Sequence, residues 1–152
     1  MTFCVRQRRP AFKERNVAAQ ILDHFLRTAE EESFSLLAYC LMPDHAHLLV
    51  RAQDATSDLR QFVKSAKEQS GRGYRKRHGK RLWQEGYFER VLRDETEARE
   101  YARYIVNNPV RAGLVATVAE YEFVGATEWT LDELTNEELS TEGAPRTVTP
   151  GL

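Results

Sequence analysis

The sequence of 152 residues contains 30% charged and 41% apolar residues, a balance typical of one globular domain with a buried core. No apolar run approaches the ~18 residues that a membrane-spanning helix requires, and the two cysteines form no closely spaced pair and follow no signal peptide. These features exclude a membrane protein and a disulfide framework, so we expect a cytoplasmic protein with no membrane partner.

The formal net charge of −1 hides an uneven distribution along the chain. Six acidic residues and one arginine follow residue 127, whereas residues 1–127 contain 21 basic and 17 acidic residues, a net charge of +4. The last segment also has few large apolar side chains. We therefore predict a folded, basic domain over residues 1–127 and an acidic, mobile tail over residues 128–152.

The first third of the chain predicts three strands and one helix. The apolar run Thr2–Val5 predicts a strand, and apolar residues at helical spacing predict a helix over Asn16–Thr28, with Asn16 as its N-cap. The apolar segment Phe34–Leu41 predicts a second strand. Because Pro43-Asp44 favours a turn, His45–Arg51 is expected to return beside it as a hairpin partner.

A second helix is expected to carry most of the positive charge. Ser57 can cap it, while Gly71 and Gly73 weaken its end, so residues 74–81 are expected to form a basic loop. Nine basic residues and one acidic residue lie between Arg60 and Arg81. Such a block attracts a polyanion such as nucleic acid, although a solvated helix face carries similar charges. The predicted contacts are Lys64, Lys67, Arg75 and Arg77.

The remaining elements complete a recognisable order. Tyr87–Arg93 predicts a fourth strand, and Asp94 can cap a third helix over Glu95–Asn108, which Pro109 ends because the residue before a proline avoids the helical region. This order predicts an α+β fold of the split βαβ, or ferredoxin-like, type. In such a fold two helices cover one face of an antiparallel sheet, and the third helix is free to lie on the other face.

Two histidines begin the predicted third strand. Alternate side chains of a strand point to the same face, so His45 and His47 should stand side by side while Ala46, Leu48 and Val50 face the first two helices. Paired neutral imidazoles bind divalent first-row metals and leave coordination positions open. The alternative is a pair of hydrogen-bonded histidines in a partly buried strand.

The predicted third helix can bring a tyrosine and an amide to this pair. Tyr104 and Asn108 are four residues apart and therefore share one stripe of the helix. Tyrosine is among the side chains that form covalent intermediates. Tyr101 lies one turn earlier on nearly the same stripe and is the competing nucleophile.

Three blocks of sequence resemble one known family. They are residues 39–50 (YCLMPDHAHLLV), 83–88 (WQEGYF) and 104–115 (YIVNNPVRAGLV), in that order within residues 1–125. They resemble the single-tyrosine HUH transposases, and within them the REP-associated tyrosine branch. The resemblance implies that His45 and His47 bind a metal, that Tyr104 is the nucleophile, and that Asn108 takes the place of the third ligand, which is often a glutamine in related transposases.

The same resemblance implies an activity and its partners. With Mg²⁺ or Mn²⁺, such a protein would cleave and rejoin single-stranded, hairpin-containing DNA through a 5′-phosphotyrosine intermediate. The basic second helix would follow the DNA backbone, with Tyr74, Trp83 and Tyr87 as stacking candidates, although such aromatic residues more often belong to a core. A homodimer is one expected assembly.

Two other functions stay open on the sequence alone. The chain could be a non-catalytic, domesticated nucleic-acid-binding protein derived from such a transposase. It could also be a metal-dependent hydrolase that uses an activated water, in which case no covalent protein–DNA species would form.

Overall fold

The computed structural model describes residues 1–136 and the short strand 150–151. Strands β1 to β6 are Thr2–Cys4, Phe34–Met42, His45–Ala52, Tyr87–Phe88, Val124–Ala126 and Pro150–Gly151. Helices α1 to α5 are Arg15–Glu31, Leu59–His78, Glu95–Val106, Asn108–Arg111 and Leu131–Thr135.

The strands form one antiparallel sheet in the order β5-β2-β3-β1-β4-β6. Strands β2 and β3 make the central hairpin, in which Cys40 lies opposite His47 and Met42 opposite His45. Strand β1 flanks β3 on its other side, with Cys4 opposite His45 and Thr2 opposite His47. The ferredoxin-like prediction is confirmed, and both histidines lie in the interior of the sheet.

The sheet separates two hydrophobic cores. On one face, α1 and α2 pack over β1 and β3 through side chains that include Phe3, Phe25, Leu48 and Phe62, all fully buried. On the other face, α3 covers β2 and α5 packs on α3, through a smaller core that includes Ile105. The histidines share this second face, as strand alternation predicts.

The second helix differs from its prediction at both ends. Asp58 is the N-cap, because its carboxylate accepts from the backbone N–H groups of Arg60 and Gln61, while the Ser57 hydroxyl donates to the Ser33 carbonyl. The helix also continues through both glycines to His78, so the predicted loop over residues 74–81 is wrong. Packing of Trp83 against this part of the helix outweighs the weak helix propensity of glycine. The ring is so close that a Cβ added at Gly71 would lie 3.4 Å from it.

Helices α1 and α3 and the fourth strand also differ from their predicted bounds, and α1 continues three residues past its predicted end, to Glu31. Helix α1 begins at Arg15 without a side-chain cap, so Asn16 lies inside its first turn. The fourth strand covers only Tyr87–Phe88, because Phe88 lies opposite Thr2, the first residue of β1, and the following residues run past that strand. Helix α3 stops at Val106, two residues before its predicted end.

A kink at Asn107 separates α3 from α4. The Asn107 side-chain amide donates to the carbonyls of Arg103 at 2.9 Å and Leu134 at 3.2 Å. Pro109 then lies in the first turn of α4, where its missing N–H is tolerated. The kink is therefore fastened to both α3 and α5.

The beginning of the predicted tail packs onto the domain. Thr130 and Glu133 form a capping box at the start of α5, and Leu134 is fully buried against α3. Residues 137–149 and 152 of the predicted tail lie outside the described residues, and the boundary at residue 127 stays a prediction. Among the described residues, no helix is both long enough and apolar enough to cross a membrane.

Candidate functional site

A cavity of about 300 Å³ opens on the α3 side of the sheet. Residues of β1, β3 and α3 line it, together with Arg8, residues 88–90 and the first residue of α4. His45, His47, Tyr104 and Asn108 all line it. The structure therefore brings together all four residues predicted for the metal and the nucleophile.

The Nδ1 atom of each imidazole contacts an oxygen that fixes the ring, and the two Nε2 atoms face each other. His45 Nδ1 lies 2.6 Å from Asp44 Oδ1, and His47 Nδ1 lies 2.8 Å from Thr2 Oγ1. The two Nε2 atoms are 3.1 Å apart. This distance fits a hydrogen bond when one Nε2 carries a proton. When both Nδ1 atoms are protonated toward their oxygen partners instead, the two Nε2 atoms face each other as acceptors, an arrangement that a cation would relieve.

The Asp44 carboxylate is itself held in place. Arg8 Nε lies 2.8 Å from Asp44 Oδ2, while Asp44 Oδ1 faces His45. A hydrogen-bonded carboxylate behind an imidazole orients the ring and raises its basicity as a metal ligand. No local pattern indicates this role, because Pro43-Asp44 by itself predicts only a turn.

Burial keeps both histidines neutral at neutral pH. Burial lowers the pKa of His47 to about 3, with further contributions from His45, the N-terminal amine, Arg111 and Arg8. Burial also lowers the pKa of His45, although the hydrogen bond to Asp44 opposes this change. The neutral imidazole is the form that binds a metal.

The donor set restricts the kind of metal site that is possible. Within the described part of the chain, no group of three or more His, Cys, Asp and Glu side chains could hold a metal ion. A third protein ligand in this cavity would have to be of another type. Asn108 supplies a buried side-chain amide at the same cavity, which fits a site with two strong ligands, one weak ligand and open positions.

Tyr104 lies between aromatic and cationic neighbours. The ring of Tyr104 is edge-on to His47, with 6.0 Å between their centroids, and stacks on Tyr101 at 5.8 Å with an angle of 15°. The Arg111 guanidinium carbon lies 3.9 Å from the Tyr104 ring centroid. Both tyrosines line the cavity, so position alone does not choose between them, but burial raises the pKa of the Tyr101 phenol.

The four predicted DNA contacts do not form one surface. Lys64 and Arg75 are eleven residues apart on α2 and lie on the same side, whereas Arg77 lies on another side of the helix. Lys67 Nζ donates to the carbonyls of Gln84 at 2.8 Å and Gly86 at 2.5 Å, so its ammonium group is already engaged.

A basic groove nevertheless runs beside α2. It has a volume of about 690 Å³ and lies between the helix and residues 81–85. Arg72, Arg75 and Arg81 line it together with Lys67, and the acidic Glu68 and Glu85 line it as well, with Glu85 3.7 Å from Arg81. Arg72 and Arg81 are not among the predicted contacts. Arg72 lies on α2 between the two glycines, and Arg81 lies beyond the end of that helix.

Two of the three stacking candidates belong to the core. Trp83 is buried against Phe3 and Phe25, and its Nε1–H donates to Ser70 Oγ at 2.8 Å. Tyr74 is also buried. Tyr87 is half-buried, and its hydroxyl donates to Glu89 at 3.1 Å. The core interpretation of Trp83 and Tyr74 is the one that the structure supports.

Comparison with known proteins defines the class of protein to which this fold and site belong. The family described as "Transposase IS200 like" matches residues 1–108. The chain therefore belongs to the IS200-like transposase family.

Particular relatives are REP-associated tyrosine transposases. A protein of Escherichia coli (strain K12) with that name is 25% identical over 105 residues, which are 68% of this chain and 62% of the relative. A protein of Haemophilus influenzae (strain ATCC 51907 / DSM 11121 / KW20 / Rd), named as a candidate member of the same group, is 27% identical over 111 residues, which are 65% of this chain and 62% of the relative. The chain thus spans less than two thirds of the length of both relatives.

A solved structure supports the fold. It shows a REP-associated tyrosine transposase bound to a REP hairpin, and it aligns with 81% of this chain and 72% of its own chain. The TM-score is 0.70 at 22% sequence identity, which confirms the architecture of the sheet and its helices.

Proposed function

We propose that this protein cleaves and rejoins single-stranded DNA next to a hairpin, using Tyr104 as a covalent nucleophile beside a divalent metal. The observation that carries the proposal is the convergence of the His45 and His47 Nε2 atoms, 3.1 Å apart, in the cavity that Tyr104 also lines. Membership of a transposase family supports this activity, and the hairpin bound by the solved relative supports the choice of substrate.

In this proposal, different residues of the cavity bind the metal and attack the phosphate. His45, His47 and Asn108 would hold Mg²⁺ or Mn²⁺, which when bound would polarise the scissile phosphate and orient it. Asp44 and Thr2 keep both imidazoles turned toward that position through their Nδ1 atoms. These ligands are thus arranged before any DNA binds, which reduces the reorganisation that the reaction requires.

Tyr104 would supply the attacking atom. Its phenol oxygen forms a bond to phosphorus while the bond to the 3′-oxygen of the neighbouring nucleotide breaks, which gives a 5′-phosphotyrosine ester and a free 3′-hydroxyl. The phenol loses its proton to water as it attacks, and the leaving 3′-oxygen gains a proton from water, so the step releases no net proton. Attack by a 3′-hydroxyl on the ester reverses the step, so rejoining consumes no nucleotide.

Two features favour Tyr104 over Tyr101 as the nucleophile. The Tyr104 ring is the one in edge contact with His47, and it precedes Asn108 by one helical turn across the kink. Burial raises the pKa of the Tyr101 phenol, which makes its oxygen harder to deprotonate. Tyr101 then serves as a packing partner for the Tyr104 ring.

Formation of a covalent adduct tests the proposal. The protein is incubated with Mn²⁺ and an end-labelled hairpin that carries single-stranded flanks, and then separated under denaturing conditions. We expect a label at the 3′ end to enter a denaturant-resistant protein band and a label at the 5′ end to stay in a shortened DNA with a 3′-hydroxyl, both products being abolished by a chelator. Hairpin binding without cleavage in Mg²⁺ or Mn²⁺ would instead support the domesticated binding protein, and cleavage without an adduct would support the water-activating hydrolase.

A homodimer stays a prediction, which analytical ultracentrifugation tests directly.

A further inference from the structure

One turn of helix carries two residues that point at different parts of the same site. Asn108 and Arg111 are three residues apart and begin and end α4. Asn108 lines the cavity with the histidines, while Arg111 places its guanidinium carbon 3.9 Å from the Tyr104 ring centroid. Both residues therefore reach the site from the short helix that follows Asn107.

The contact between Arg111 and Tyr104 is of a kind that fixes a ring. A guanidinium is planar and stacks on an aromatic face, where the ring quadrupole attracts its charge. Tyr104 is half-buried at the edge of the second core, so core packing covers only part of its side chain. Within the described part of the chain, the Tyr104 ring meets the stacked Tyr101, the edge-on His47 and Arg111, and of these Arg111 alone comes from outside the sheet and α3.

We propose that Arg111 is a positioning residue that holds the Tyr104 ring so that its phenol oxygen faces the space beside His47. The catalytic part of this inference rests on the proposed function, since it takes Tyr104 as the nucleophile. Attack in line with the leaving oxygen requires the phenol oxygen to lie about 3–3.5 Å from phosphorus, so a ring free to rotate spends less time in a reactive orientation. The alternative is that Arg111, which is exposed, contacts a DNA phosphate and contributes only affinity.

Kinetics on the full chain separates the two roles. Single-turnover cleavage of the labelled hairpin in Mn²⁺ and hairpin affinity are measured for wild type, Arg111→Gln and Arg111→Lys. The control is Arg27→Gln, which removes an ion-paired arginine from α1 on the opposite face of the sheet. We expect Arg111→Gln to lower the cleavage rate at saturating protein by roughly ten- to hundredfold while DNA affinity stays within about threefold. Arg111→Lys keeps the charge but not the planar stack, so it should recover only part of the rate.

The ring contact is tested without any reliance on cleavage. A side chain stacked over an aromatic ring has its protons shifted upfield by the ring current, so the Arg111 δ-CH₂ signals in an NMR spectrum of the wild-type protein should be displaced. They should return toward ordinary arginine positions in Tyr104→Leu and stay displaced in Tyr121→Phe, a tyrosine outside this cavity.

The outcomes distinguish failure of this inference from failure of the proposed function. A rate for Arg111→Gln within about twofold of wild type, or a loss that follows DNA affinity and returns fully with lysine, overturns the positioning role. Arg111 signals at ordinary positions in the wild type overturn the contact itself. If the wild-type protein never cleaves, the proposed function fails, while the NMR result still decides whether Arg111 holds the Tyr104 ring.

Discussion

At the scale of single residues, the phenol oxygen of Tyr104 is the atom on which the proposed reaction depends. Replacing Tyr104 by phenylalanine removes this oxygen and keeps the ring that packs beside His47 and Tyr101. We expect Tyr104→Phe to abolish both strand cleavage and the covalent adduct on a labelled hairpin, while hairpin and Mn²⁺ affinities stay near wild type.

The matched control is Tyr101→Phe, which removes the neighbouring phenol oxygen from the same cavity. This variant should keep most of its cleavage activity, because Tyr101 is assigned a packing role. Cleavage by Tyr104→Phe together with an inactive Tyr101→Phe would exchange the two roles. Cleavage by both variants would point to water as the nucleophile.

Periodicity, together with the predicted fold, indicated that the two histidines, Tyr104 and Asn108 could share one site. The alternation of a strand placed His45 and His47 on one face, and the spacing of four residues placed Asn108 one turn after Tyr104. The residues that orient the histidines were not predictable in this way. Thr2 reaches His47 only through the register between β1 and β3, which depends on the whole sheet rather than on any local pattern.

At the scale of secondary-structure elements, α5 is the helix that ties the start of the acidic tail to the α3 side of the sheet. Leu134 is fully buried against α3, and its carbonyl accepts from the Asn107 side chain at the kink. Leu134→Ala should therefore lower the free energy of unfolding by about 2–5 kcal/mol, as measured by urea denaturation. Leu114→Ala, at an exposed leucine, should change it by less than about 0.5 kcal/mol. A decrease for Leu134→Ala no larger than that of the control would mean that α5 does not dock on α3 in solution.

Helix α2 is the element through which the protein is expected to hold the DNA backbone. Lys64, Arg72 and Arg75 lie along one side of it, and the two arginines line the basic groove. Replacing all three by alanine should weaken hairpin binding and reduce the slope of log affinity against log salt by up to about 0.9 for each phosphate that is no longer neutralised. Lys13→Ala, at an exposed lysine before α1, serves as the control. A slope equal to wild type in the triple variant would mean that this side of α2 is only solvated.

The same helix shows which structural features a local sequence pattern does not predict. Its apolar stripe and its basic side were predictable from the 3.6-residue period, but its last turns were not. Gly71 and Gly73 reduce local helix propensity, yet Ser70 and Tyr74 are buried on either side of them, and Trp83 bonds to Ser70. Contacts with a residue thirteen positions away decide the length of this helix, and no local pattern contains them.

At the scale of the whole molecule, the proposed metal site joins two layers of the fold. His45 and His47 belong to the sheet, whereas Asn108 belongs to the helical layer that α3 and α4 form above it. An ion bound by all three would link these layers in the folded protein and would find no preformed site in the unfolded chain. Metal binding should therefore stabilise the fold as a whole as well as prepare the cavity for DNA.

Thermal unfolding with and without Mn²⁺ measures this stabilisation. An ion that binds only the folded state adds about 2.7 kcal/mol at a concentration one hundred times its Kd, so the wild-type midpoint should rise by about 5–10 °C. The rise should be largely abolished in His45→Ala and His47→Ala, and it should persist in His24→Ala, a histidine on α1 on the other side of the sheet. Each variant is compared with its own metal-free midpoint, because His47 is buried and its replacement lowers stability by itself. An equal rise in all three variants would place the bound ion away from this cavity and remove the basis for a metal-assisted attack by Tyr104.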